Sequence, residues 1–353
     1  MHIYVIGTVL AVLFAKFAMN VKPYPSLKKS YYIWAVLSFL PLFLISALRY
    51  DVGTDYLYVY DPFFHAINAG ENEFSEIGFN LINRITYLIV DDSALMFAVV
   101  AFLTLLFTFL AYYQQSVNVS YSILIFVIST IYFNSMNQIR QNLAMAIFLY
   151  AMKYIRRREP IKYYLWILLA FSMHTSSVLF VPLYFVYNLK VNVKAHFILM
   201  LGVFATLPFM QVLIRVLISL TPYAWYLNSM YSTSGFSYVQ FAYTLMLLVM
   251  LYFCYLNSKD TEDKDYNFML YMHLFALIFV TYSAVIPQSN RLMISMTVIQ
   301  PLIVPKALLR IEEKNRRIVV FVIFLMLFGF KVFHDICIQG WYDVLPYQTI
   351  FSR

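Results

Sequence analysis

The chain has 353 residues, 62% of them hydrophobic and 12% charged, with a formal net charge of +8. Soluble domains carry roughly 25% charged residues, so this composition excludes a soluble globular protein. A bilayer core of about 30 Å takes about 20 apolar residues per helix, which leaves room for roughly 11–12 spans in one all-α polytopic membrane domain, 1–353.

In chain order the apolar stretches are 3–19, 31–48, 94–113, 119–133, 137–154, a long 162–188, 196–219, 238–257, 268–286, 292–309 and 318–334. They are too long, and too rich in Leu, Phe and Tyr, for the strands of an outer-membrane barrel. The first lacks a basic n-region and a small-residue cleavage site, so it reads as a retained helix. Cys254 and Cys337 form neither a disulfide framework nor a metal spacing. The basic excess reads as membrane anchoring and gives no sign of nucleic acid.

Three basic clusters orient the spans by the positive-inside rule. Lys16, Lys22, Lys28 and Lys29 follow the first. Lys153, Arg156, Arg157, Arg158 and Lys162 form the densest. Arg310, Lys314, Arg316 and Arg317 flank a late loop. Stretch 162–188 is long for one span and short for two. A re-entrant helical hairpin broken at Ser172–Ser177 lets every later loop obey the rule and puts His174 at the turn, where irregular backbone must line a cavity. Twelve of thirteen lysines then lie inside. Arg49, Arg84, Arg140, Arg215, Arg291 and Arg353 lie outside with Lys331. Guanidinium is bidentate toward phosphate and carboxylate, so an arginine-bearing outer face points to an anionic ligand. The main outer element is loop 49–93, with eight of the seventeen acidic residues; 221–237 and 335–353 are minor outer elements.

Five constellations carry chemistry. In Leu48–Tyr60, Arg49 sits at the outer boundary, Gly53 permits a tight turn, and Asp55 precedes Tyr56, Tyr58 and Tyr60. Carboxylates beside rings hold sugars; an interfacial tyrosine belt is the competing reading. In Asn134–Ala144, polar residues open an apolar helix with Arg140 and Gln141 near its first turn. A helix N-terminus with an arginine makes an anion site, though an arginine can also snorkel. His174, followed by Thr175, Ser176 and Ser177, suits proton abstraction or a structural hydrogen bond. Pro287–Arg291 is a short turn whose arginine serves either anchoring or anion binding. Trp341–Tyr347 returns over the outer face, as sugar contact or as an aromatic anchor. Glu71, Asn72 and Glu73, with Asp91 and Asp92, read as solvated loop polarity. There is no P-loop, metal spacing, nucleophile elbow or Rossmann glycine pattern.

At these motifs the sequence resembles the EpsG/Wzy-type family of bacterial polysaccharide polymerases. The likeness runs through Arg49 with Val52–Tyr56, Glu76-Ile77-Gly78-Phe79 with Leu81-Ile82-Asn83, Asn134–Ala144, the basic connector, His174–Ser177, Arg291-Leu292 and Tyr342–Tyr347. Ser177 and Ile139 depart from the family's usual alanine and methionine. The resemblance implies a GT-C-like glycosyltransferase of the bacterial cytoplasmic (inner) membrane, active toward the periplasm or exterior. Its substrates would be undecaprenyl-diphosphate-linked oligosaccharide and the growing O-antigen, capsule or exopolysaccharide. A chain-length regulator is a candidate partner, and no cofactor is implied. On this expectation Arg140, Arg291 and Arg49 hold the diphosphate, and His174 or Asp55 is the catalytic base. Tyr56, Tyr60, Gln141 and Tyr347 contact sugar. An O-antigen ligase, a lipid-linked oligosaccharide flippase and a sugar acyltransferase are the rival readings.

Overall fold

The computed structural model describes residues 1–71, 74–220, 224, 235–286 and 288–352. Asn72, Glu73, Pro287, Arg353 and most of the loop 221–237 lie outside the described residues. Among the described residues the regular structure is helical, with one isolated bridge between Arg49 and Thr349. Among the described residues, seven helices are long and apolar enough to cross a membrane, or up to nine if two bent pairs each count as one span. The protein is a multi-pass membrane protein. Where the sequence reads as one domain, contacts group the chain into two compact units. The first comprises Met1–Tyr184, Gln300–Lys306 and the segment from Phe328; the second comprises Phe185–Ile299 and Ala307–Leu327.

The first unit begins with α1 (His2–Val21) and α2 (Lys28–Ala47). Gly7, Ala11, Ala15 and Ala18 are buried along one face of α1, and Gly7 lies against Ile45 and Leu42 of α2. Small residues at this spacing let two helix backbones approach in lipid, where no hydrophobic effect drives them together. Loop 49–93 then folds into a π-helical turn, Tyr56–Tyr60, and two short helices, α3 (Asp61–Ala69) and α4 (Ile77–Tyr87). Gly70, in the left-handed region, ends α3.

Next come α5 (Ser93–Gln115), α6 (Val119–Ile128), α7 (Ile131–Asn137) and α8 (Ile139–Arg156). Asp92 caps α5 by accepting from the Ala94 amide, and Asn118 caps α6 through Tyr121. Thr130, at φ 68°, bends α6 from α7 by 57°. Gln138, at φ −87° and ψ 62°, separates α7 from α8. This second break gives α8 its own N-terminus, two residues before Arg140. α8 packs between α5 and α9 (Pro160–Met173).

α9 stops because His174 is extended, at φ −159° and ψ 129°. A 3-10 helix, Thr175–Phe180, and α10 (Leu183–Val186) follow. The chain doubles back here. The Tyr163 hydroxyl donates to the Phe180 carbonyl, and the Tyr184 ring lies 5.6 Å from that of Tyr163. A continuous helix would hold residues 163 and 184 about 30 Å apart. α8 and this folded-back segment occupy the stretches read from sequence as spans 137–154 and 162–188.

The second unit contains α11 (Val193–Ser219), α12 (Tyr238–Leu256), α13 (Lys264–Thr281) and α14 (Ser289–Thr297). Asp263 caps α13 through the amides of Asp265 and Tyr266, and also pairs with Arg310 at 3.2 Å. The unit boundary runs through α15 (Gln300–Leu309) and α16 (Lys314–Val332).

After α16 the chain returns across the first unit as a strap. The Gly53 amide donates to Asp343 O at 2.9 Å, Tyr50 N to Gln348 O at 3.1 Å, and Ile350 N to Leu48 O at 2.9 Å. The Tyr4 hydroxyl donates to Val344 O at 3.0 Å. Gly53 is pinned from its other side too. It has φ +108°, and a Cβ there would stand 2.5 Å from the Met136 carbonyl. Gly53→Ala is therefore expected to destabilise the protein by about 1–3 kcal/mol through strain alone. Thermal unfolding of the purified variant in detergent measures this, and wild-type melting would contradict it.

Candidate functional site

The site is built around the break between α7 and α8. Arg49 holds that break from behind. Its Nε donates to Val52 O at 3.1 Å, one terminal nitrogen to Ser46 O at 2.8 Å, and the other to Met136 O at 3.1 Å. The guanidinium also lies 5.1 Å from the Phe97 ring centroid and 5.9 Å from that of Tyr56. Arg49 is 1% exposed. Burial pushes its pKa below the ordinary arginine range, opposed by Tyr56, Tyr132, Tyr4 and Tyr347. Arg49, expected from sequence to hold diphosphate, ties three backbone carbonyls together. Buried carbonyls left without donors are costly, and a planar five-donor fork satisfies several at once.

Arg140, in the first turn of α8, is the half-buried counterpart of this arrangement. Its guanidinium carbon lies 3.9 Å from the Phe74 ring centroid, and Phe79 is 5.9 Å away. Asn80 fixes Phe74 by bonding both its amide and its carbonyl. One Arg140 terminal nitrogen pairs with Glu76 Oε2 at 2.7 Å. The side chains are 18% exposed for Arg140 and 4% for Glu76. Glu76 holds the N-cap position of α4, where an acid ordinarily caps its own helix. It makes no such cap. Its Oε1 faces the Thr175 amide at 3.3 Å and the Thr175 hydroxyl at 3.4 Å. One carboxylate thus joins the Arg140 helix to the residue after His174.

Close packing of α4 on α9 sets this geometry. A Cβ at Gly78 would stand 2.7 Å from Met173 Cε and 2.9 Å from the Ser172 carbonyl. Only glycine lets the start of α4 sit this near the end of α9. His174 in turn caps the 3-10 helix. Its Nδ1 accepts from the Ser176 amide at 3.2 Å and lies 2.7 Å from the Ser176 hydroxyl. A ring nitrogen that accepts from an amide carries no proton, so neutral His174 carries its proton on Nε2. In this cap Nδ1 of His174, the residue expected from sequence as a catalytic base, is an acceptor, and Nε2 is left to donate.

The other expected residues fall in different places. Asp55 is half-buried, and its amide donates to Asn137 Oδ1 at 3.0 Å, beside the same helix break. Tyr56 and Tyr60 are 1% and 4% exposed, within the core cluster that includes Phe64, Phe79, Phe97 and Leu143. Tyr56 stacks on Phe97 with centroids 3.9 Å apart. Both rings, expected from sequence to contact sugar, are packed within this cluster. Tyr58, on the same turn, is exposed. Gln141 is buried on α8. The Tyr347 hydroxyl donates to Ile45 O at 2.9 Å, and burial raises its pKa while Arg49 lowers it. Arg291 belongs to the second unit, in the first turn of α14.

Glu76 is the residue that sequence reasoning undervalued. Its motif, Glu76 to Phe79, carries part of the family likeness, but no role was assigned to this acid, which opens a short helix with a glycine two residues on. A cavity of about 260 Å³ lies in the same loop, lined by Tyr50, Leu57, Asp61, His65, Asp91 and Ser93 among others. Asp91 and Asp92, read as solvated loop charge, both border it. Among the described residues, no group of three His, Cys, Asp or Glu side chains is placed to hold a metal ion.

Long apolar helices around a buried arginine–carboxylate pair define a polytopic membrane protein with a polar site inside its helical core. The chain belongs to the EpsG family, whose model matches residues 32–349. No curated protein and no solved structure matches it.

Two outcomes follow for stability. Arg49→Lys keeps the charge but loses the fork, and is expected to cost about 2 kcal/mol or more as carbonyls lose their donors. Glu76→Ala strands Arg140 and is expected to cost about 3 kcal/mol, while Glu76→Ala combined with Arg140→Met recovers most of that. Melting curves of the single and double variants measure both. Additive losses at 76 and 140 would show that the pair is not coupled.

Proposed function

We propose that this EpsG-family protein polymerises lipid-diphosphate-linked oligosaccharides into a surface polysaccharide at the outer face of the bacterial cytoplasmic membrane. Family membership and the multi-pass helical architecture support a polymerase-type enzyme. The observation that carries the reading is the placement of Arg140. It stands in the first turn of α8, against aromatic rings, with the loop after His174 tied to it through Glu76. A guanidinium at a helix N-terminus in low-dielectric surroundings stabilises an anion strongly. The leaving lipid diphosphate is such an anion, and its charge grows as the glycosidic bond breaks.

In this reading Arg140 holds the diphosphate, and Arg291 is a second candidate for the same role. Arg49 aims the backbone that carries Arg140 and does not touch substrate. His174 donates from Nε2 to an oxygen whose charge builds in the transition state. Asp55, Tyr58 and the adjoining polar cavity contact the sugar chain, with acids accepting hydroxyl hydrogens and a ring stacking on the apolar sugar face. The folded-back segment 160–186 re-enters the membrane in a GT-C-like arrangement, with its turn at the site. Undecaprenyl diphosphate is the proposed lipid carrier, and the lipid tail lies among the spans.

Complementation of a polymerase-null strain, read as polysaccharide ladders with protein level checked, tests this. Wild type should restore the ladder. Arg140→Ala, Arg140→Lys and His174→Ala should each lower polymerisation by about 10²–10³-fold, the usual cost of a lost electrostatic stabiliser. Normal ladders from all three would remove these residues from the active site. Failure of wild type in a matched host would favour a ligase or a flippase.

A further inference from the structure

We infer that Glu76 is the group that accepts the proton of the attacking sugar hydroxyl, and that binding of the lipid diphosphate at Arg140 is what frees it to do so. The inference rests on the polymerase reading above, and three observations lead to it.

The first is where Glu76 is held. It is a nearly buried carboxylate at a helix N-cap that leaves its own helix uncapped. Its short contact is to Arg140, at 2.7 Å. Its contacts to Thr175, at 3.3 and 3.4 Å, are long for hydrogen bonds. Arg140 is therefore its main anchor.

The second is the tautomer of His174. Nδ1 accepts the Ser176 amide, so the proton stays on Nε2. His174 could take a hydroxyl proton only by giving up the cap. Glu76 is the carboxylate that touches the residue next to it, and it carries lone pairs instead of a proton to donate.

The third is competition for one cation. A diphosphate offers the guanidinium more charge and more acceptor oxygens than a single carboxylate does. When Arg140 turns to it, Glu76 is left with its long contacts to Thr175 and an anion nearby. The ion pair therefore masks the base until the donor arrives.

The step balances as a single displacement. The acceptor hydroxyl gives its proton to a Glu76 oxygen. The hydroxyl oxygen's electron pair forms the new bond to the anomeric carbon at the reducing end of the growing chain. The bond from that carbon to the diphosphate oxygen breaks, and its electron pair leaves with the lipid diphosphate, held by Arg140. Glu76 returns its proton to water as the products separate. The anomeric configuration inverts.

The test uses the full chain in lipid nanodiscs, with a lipid-diphosphate-linked repeat unit as substrate and undecaprenyl diphosphate as binding probe. Glu76→Gln keeps the shape and an acceptor oxygen. It should lower turnover at saturating substrate by about 10²–10⁴-fold, the range for loss of a general base, while the probe binds as tightly or more tightly, its competitor having gone. Glu76→Asp should polymerise at least about tenfold more slowly than wild type with unchanged probe binding, and it carries the test alone if the glutamine variant does not fold. The new linkage should have the opposite anomeric configuration to the donor.

Wild-type turnover in both variants overturns the assignment. So does a loss confined to probe binding, or retention of configuration. Abolished turnover in Asp55→Asn with Glu76→Gln unaffected transfers the role to Asp55. If wild-type protein makes no polymer, the polymerase reading itself falls and takes this inference with it. Polymer from wild type and from Glu76→Gln alike sinks the Glu76 assignment alone.

Discussion

Much of the first unit hangs on one guanidinium. Arg49 satisfies carbonyls from the end of α2, from the following loop and from α7, three segments with no reason of their own to meet. In lipid an unsatisfied carbonyl has no water to turn to. The break between α7 and α8 lies where donors wait, and Arg49 supplies three of them at one point. Gly53 and Asn137 complete the junction, the glycine by lacking a side chain and the asparagine by accepting the Asp55 amide. The position of Arg140 follows from this junction, because α8 starts where the junction ends it.

Two arginines read alike in sequence and differ in the structure. Both open polar motifs at an outer boundary, and both read as anion ligands. Arg49 is enclosed, and its donors point at backbone. Arg140 is partly open, and its partner is an acid that another anion can displace. The difference comes from neighbours far along the chain. Met136 lies 87 residues from Arg49, and Glu76 lies 64 from Arg140. A linear reading of motifs has no access to such partners. It also placed Tyr56 and Tyr60 on a sugar-facing surface, because alternating tyrosines in a polar loop look exposed. The π-helical turn instead directs those two rings inward and leaves Tyr58 outside.

The broad architecture was legible for physical reasons. Long apolar runs have few other fates, and the break in the helix at His174 follows from Ser172–Ser177, where small polar residues interrupt an apolar stretch. The fold-back at that break became visible only through Tyr163, Phe180 and Tyr184, whose contacts depend on the turn itself. Glu76 received no role from sequence because acidic residues in an outer loop are usually solvated, as Asp91 is here at its side chain. What separates Glu76 is the tight approach at Gly78, and closeness between helices cannot be read from either helix alone.

The strap from Asp343 to Ile350 gives this protein an unusual order of assembly. Val344 meets Tyr4 across 340 positions of chain, and Asp343 closes on Gly53 from a similar distance. Contacts of that separation cannot form while the chain is still being made. The strap lies along the Arg49 junction, bonding Leu48, Tyr50 and Gly53 from a segment that follows the last long helix. The late segment therefore closes over a junction whose Arg49 contacts lie wholly earlier in the chain, and distant parts of the sequence meet at a few hydrogen bonds.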